Sequence, residues 1–147
     1  MAADYRYSIY INAGRDEVWD AITNPDKTER YFYGTRVDCT FTPGASMQYF
    51  HGSSDQLAST GEIVSVDAPN QYECLFHAKW DPALEAEGPV REIWQLRELN
   101  GMVELSVELF DAPPDSATYQ DFATGFPYIL SGLKSVVETG NGLPAPY

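Results

Sequence analysis

Basic residues are scarce in this chain: nine Lys and Arg stand against 22 Asp and Glu, a net charge of −13 over 147 residues. Such a charge repels nucleic-acid phosphates and anionic membrane surfaces, so neither is an expected partner. Its ordinary role is solubility. Cysteine is nearly absent. Cys39 and Cys74 lack metal-type spacing, and each falls within an apolar alternation, which reads as small buried hydrophobes rather than a disulfide. No apolar run approaches the ~20 residues of a membrane helix. The opening MAADYRYSIY has neither the basic nor the apolar region of a signal peptide. A cytoplasmic protein without membrane insertion is therefore expected. Also missing are a Gly-rich phosphate loop, a nucleophile elbow, a zinc-type Cys pair and a His-x-x-x-His motif, so no metal, cofactor or catalytic set is expected. With no repeat, low-complexity tract or linker, residues 1–147 read as one domain. The oligomeric state is left open.

What the chain has in quantity is aromatic side chains: seven Phe, ten Tyr and three Trp, enough to dominate a core or line a site. The clearest local pattern is Thr118 to Gly140. Tyr119, Phe122, Ala123, Phe126, Ile129, Leu130, Leu133, Val136 and Val137 recur at three and four, which predicts one apolar helix face. Thr118 is the expected cap, Asp121 the expected acid near the positive end, and Gly140 the left-handed stop. Gly125-Phe126-Pro127 interrupts the pattern; an interior proline costs about 3 kcal/mol, so a bent helix lying over a curved surface is expected.

Upstream, Tyr5 to Ile11 alternates as a strand, and Arg15 to Thr23 reads as a short helix with Val18 and Ile22 on one face. Asn24-Pro25 opens a second short helix to Tyr31. Strands are then expected at Thr35–Phe41, Ser46–His51, Ser59–Val66, Tyr72–Trp80, Val90–Glu98 and Met102–Phe110. Asp81–Pro89 reads as an acidic loop, and Asn100-Gly101 as a tight hairpin. Successive strands with short turns predict an antiparallel sheet with one apolar face, covered by the terminal helix: an α+β architecture.

That order resembles the START-like superfamily (the SRPBCC, Bet v 1 or helix-grip fold), and within it the branch named after the C-terminal domain of the Hsp90 ATPase activator. The resemblance is carried by Val18-Trp19-Asp20-Ala21-Ile22-Thr23-Asn24-Pro25, Tyr31-Phe32-Tyr33-Gly34, Pro43-Gly44, Gly61-Glu62-Ile63-Val64 with Asp67-Ala68-Pro69, Gly125-Phe126-Pro127 and Leu130-Ser131-Gly132-Leu133-Lys134. It implies a curved antiparallel sheet of six to seven strands gripping the long helix, with a cavity between them for lipid-, polyketide- or flavonoid-like molecules. Tyr31 and Phe126 stand where the family often has tryptophan, and Glu92 where an apolar residue is usual.

Candidate ligand-binding residues are those placed to converge between sheet and helix. They are Tyr31, Phe32, Met47, Tyr49, His51, Trp80, Glu92, Trp94, Phe122, Phe126 and Ile129. Aromatic faces with a few polar handles suit a planar, mostly apolar ligand. Glu92 is inward by alternation, which calls for a partner such as Arg91 or Arg36, or a raised pKa. His77 falls on the outer face and reads as solvated. The expected function is binding of a small hydrophobic or aromatic molecule. Two alternatives stay open: an enzyme (cyclase, dehydratase or hydrolase) using Glu92 or His51 as acid or base, and a chaperone-regulating interaction module.

Overall fold

The strand phases set the architecture. The computed structural model describes residues 2–145. The elements run β1 (Tyr5–Ile11), α1 (Arg15–Thr23), α2 (Pro25–Tyr31), β2 (Thr35–Asp38), β3 (Ser46–His51), β4 (Leu57–Asp67), β5 (Gln71–Ala78), α3 (Pro82–Glu87), β6 (Val90–Leu99), β7 (Met102–Phe110) and α4 (Ala117–Thr139). The strands form one seven-stranded sheet in the order β1-β7-β6-β5-β4-β3-β2, every neighbouring pair antiparallel. Curled around α4, it is an α+β helix-grip fold. No helix among the described residues is long and apolar enough to cross a membrane.

Alternation explains the inner face. Val90, Glu92, Trp94 and Leu96 of β6 are buried, as are Val103, Leu105, Val107 and Leu109 of β7. Arg91 and Arg97 point outward, where they meet Glu73 at 3.4 Å and Glu104 at 2.7 Å. Such exposed pairs contribute at most about 1 kcal/mol each. Asn100 and Gly101 turn β6 into β7 with φ of 50° and 80°, the paired left-handed residues a two-residue hairpin requires. At α2, the Asn24 side chain accepts the Asp26 amide at 3.0 Å. Buried Thr28 ties α2 to β2, donating to Thr35 O and accepting from the Val37 amide.

Three local expectations are corrected. The acidic segment after β5 is not a loop: Asp81 accepts the Ala83 amide at 2.7 Å, Pro82 takes the first helical position, and α3 follows. The cap of α4 is Ser116, whose Oγ accepts the Tyr119 amide at 3.1 Å; Thr118 lies within the first turn. The Ala117 and Thr118 amides and the Thr118 hydroxyl instead donate to Glu87 from α3. That carboxylate, not Asp121, meets the positive end of the helix, and the hydrogen bonds from Thr118 and Ala117 hold it below the usual carboxylate range. Finally, β2 ends at Asp38 and β5 at Ala78, short of Phe41 and Trp80. Phe41 takes φ of 52°, leaving the strand while its ring stays buried, 5.3 Å from Tyr72.

Helix α4 runs unbroken through Pro127. Proline has no amide to give the carbonyl four residues back, that of Ala123. The Tyr5 hydroxyl donates to that oxygen at 3.3 Å, so β1 supplies what the helix lacks. Farther along, a Cβ at Gly132 would lie 2.9 Å from Tyr31 Cβ, so only glycine lets α2 approach this closely. Leu130 and Leu133 are fully buried, each contributing about 1.5–3 kcal/mol.

The Tyr5 bond is testable by a double-mutant cycle. Tyr5→Phe should cost about 1 kcal/mol in urea unfolding. In a Pro127→Ala background the new amide takes the Ala123 carbonyl, and the cost of Tyr5→Phe should fall to about half or less. An equal cost in both backgrounds would show that the hydroxyl does not serve the carbonyl.

Candidate functional site

One helix cannot seal a seven-stranded sheet, and the gap left between the β3–β6 half of the inner face and the first half of α4 is a cavity of about 640 Å³. Its walls include Phe32, Tyr49 and His51 from the first half of the chain, and Trp80 and Glu92 from around α3. From α4 come Phe122, Phe126 and Ile129. The aromatic rings are arranged edge-to-face: Phe76 meets Phe122 at 5.7 Å and 81°, and Phe122 meets Phe126 at 5.6 Å and 80°. Tyr49 stacks on Phe32 at 4.6 Å. Trp80 lies against Phe122 at 5.9 Å and remains 42% exposed, so it stands where the cavity opens to solvent.

Three of the residues expected at the site are elsewhere. Tyr31 is buried between helices and donates its hydroxyl to Ala21 O at 2.8 Å. Met47 is buried under the sheet beside Gly61. Trp94 stacks on Tyr72 at 6.0 Å, beyond the cavity wall, and acts on the site through its indole, which donates to Glu92 Oε1 at 2.9 Å. Met47 and Trp94 have the inward phase of their strands; phase gives the face of an element, not the place along the gap.

Other lining residues were not anticipated: Tyr33, Thr35, Ala58, Ser59, Phe76, Gln120, Asp121, Thr124 and Gly125. Phase already placed Phe76 on the inner face, between Cys74 and Ala78. Gln120, Asp121 and Thr124 sit on the polar side of α4, which borders the opening. Ser59 had no signal, because a register shift between Tyr49 and Phe50 sets what faces it.

Glu92 is the unusual group. It is 3% exposed, flanked across the sheet by Cys74 and Leu109. Neither arginine expected to pair with it does so: Arg91 bonds Glu73 and covers the Phe110 ring, and Arg36 bonds Asp26 and Glu29. Burial therefore drives its pKa up to about 7, the Trp94 indole offsetting only part of the rise. Asp121, exposed at the opening, is also raised, by partial desolvation of its carboxyl, with Trp80 donating to it. Ser59 Oγ, 1% exposed, lines the cavity without a hydrogen-bond partner among the described residues. Outside the cavity, His77 is not merely solvated: its Nε2 donates to Glu85 O of α3 at 2.8 Å. Among the described residues no three His, Cys, Asp or Glu side chains converge as metal ligands would.

Comparison with known proteins agrees with this architecture. A comparison with curated protein sequences gives no match. Among solved structures, the chain is similar to DynU16, a protein in the dynemicin biosynthetic locus, at 20% identity and a TM-score of 0.72 over 93% of this chain and 48% of DynU16. The chain thus spans about half of that protein's length. It is also similar to CalU16 from Micromonospora echinospora (17%, TM-score 0.68, 92% of this chain and 76% of that one). A third is the Aha1 dimer from Colwellia psychrerythraea (12%, TM-score 0.74, 93% and 97%). At these identities the likeness shows the fold alone. The family model described as "Activator of Hsp90 ATPase homolog 1-like protein" matches residues 12–138, and the chain belongs to that family.

Proposed function

We propose that this protein binds a small, mostly apolar, aromatic-shaped molecule in the cavity between the sheet and α4. The observation that carries the reading is the cavity itself: about 640 Å³, walled by ring faces, with a few polar groups set among them. Ligand pockets are typically about 300–1,000 Å³ and have this composition. Ser59 Oγ supports the reading independently, since a buried hydroxyl without a partner costs about 1–3 kcal/mol and a ligand atom there would remove that cost. A structural neighbour encoded in a biosynthetic locus is compatible with a small-molecule role.

A second reading, acid–base catalysis on such a ligand, is favoured by Glu92, a buried cavity carboxyl with a pKa of about 7. The two readings separate cleanly: if the carboxyl moves a proton, Glu92→Gln would abolish turnover while retaining binding of a neutral molecule.

Binding is checked by titrating labelled protein with flavonoids, polyketides and fatty acids by NMR. Shifts should cluster at Phe126, Phe122 and Trp80, and an unresponsive cavity across the panel would count against the reading. Phe126→Asp should abolish binding by placing a charge on the wall.

Glu92 also predicts a pH dependence of stability. Its folded pKa lies above the ordinary value of 4.5, so its neutral form is favoured by folding. The contribution is complete below about pH 4.5 and is lost as pH rises to about 7, a change of roughly 3 kcal/mol. Glu92→Gln should match the wild type near pH 4 and become more stable than it by about that amount at pH 8, read by urea unfolding across the range. A constant difference between the two would refute the burial of an ionisable carboxyl.

A further inference from the structure

We propose that the molecule this cavity takes is an aromatic or polycyclic amine, bound with its ammonium against Glu92 and its rings among the aromatic walls. The inference rests on the ligand-binding reading and adds the charge of the ligand to it.

The argument begins from the distribution of charge on the wall. The titratable side chains that line the cavity are Glu92, Asp121, His51, Tyr33 and Tyr49; neither lysine nor arginine lines it among the described residues. Two carboxylates therefore face a ligand from the β6 strand and from α4, and the rest of the chain adds a strongly acidic field. A fatty acid or other carboxylate would meet like charge at both ends of its approach.

Glu92 in particular has unused capacity. An ionised carboxylate accepts about four hydrogen bonds. Here the donor is the Trp94 indole, on Oε1, while the flanking inner-face residues Cys74 and Leu109 offer at most a weak thiol. A cation within reach favours the charged form and offsets its desolvation, which is the condition under which a buried carboxylate is tolerated. An ammonium supplies that charge and up to three donors.

The walls fit the same ligand for a separate reason. The rings of Phe76, Phe122, Phe126 and Trp80 line the space Glu92 borders. Ring faces attract a cation within about 6 Å and stack on flat apolar bodies. A neutral phenol would satisfy the rings and donate one hydrogen bond to Glu92; it would leave the charge uncompensated.

The test uses three probes of one shape and different charge: 2-naphthylmethylamine, 2-naphthol and 2-naphthoate, titrated calorimetrically at pH 8 into the wild type and into Glu92→Gln. That substitution keeps shape and removes buried charge, so folding is retained. In the wild type the amine should bind about tenfold or more tightly than 2-naphthol, with 2-naphthoate weakest, the range expected of one charge-assisted contact. In Glu92→Gln the advantage of the amine should shrink to about twofold or less while 2-naphthol is little changed. Binding of 2-naphthol or 2-naphthoate as tight as that of the amine overturns the inference and leaves the ligand-binding reading standing. An amine advantage that survives Glu92→Gln also overturns it. Failure of all three probes to bind overturns the ligand-binding reading, and this one with it.

Discussion

The burial of one helix against a sheet wider than itself governs this molecule. Seven strands present a continuous concave face, and α4 is the element that covers it. Its second half, with Leu130, Leu133 and Val136, is packed closely enough that Gly132 admits α2. Its first half stands off the sheet, and the space is walled rather than filled. The proline belongs to this division. Pro127 sits between the two halves, and the carbonyl it leaves open is met by Tyr5 from the edge strand. An irregularity that would weaken an isolated helix is here a point of attachment to the sheet.

Glu92 shows what the cavity does to chemistry. On an ordinary β6 the inward position would be apolar, and the core would close over it. The carboxyl instead borders open space, held in place by Trp94 from the same strand two residues on. Burial without a counter-charge is what lifts its pKa. A charge placed beside it would be felt more strongly there than at the surface, because desolvated charges interact more strongly than wet ones.

Much of the architecture was legible in the sequence because it depends on short-range rules. Alternation marked β6 and β7, Asn100-Gly101 marked their turn, and Asn24-Pro25 marked the start of α2. Gly140, at φ of 83°, ends α4 as its position in the pattern implied. What was less legible depends on distance across the fold. Trp94 and Phe126 share the inward phase, yet one supports the wall and the other forms it. Gln120, Asp121 and Thr124 have the phase of a solvated face, yet they border the opening because α4 is wetted along one edge there. The α3 helix was missed although Asp81-Pro82 is a start signal, since six residues are too few to show a helical period. Thr118 had cap chemistry, but the packing of α3 against α4 turns it to Glu87 and leaves the cap to Ser116.

That last contact has a consequence for traffic through the opening. Trp80 stands at the mouth on the segment that leads directly into α3, and α3 ends in the carboxylate that satisfies the first amides of α4. Lys79 bonds Glu85 and His77 bonds the Glu85 carbonyl, so the segment is fastened at both ends. Widening the mouth by moving this segment therefore takes the acceptor away from the first amides of the helix that forms the opposite wall. The mouth of the cavity and the first turn of α4 thus share one carboxylate, and a displacement of either is felt by the other.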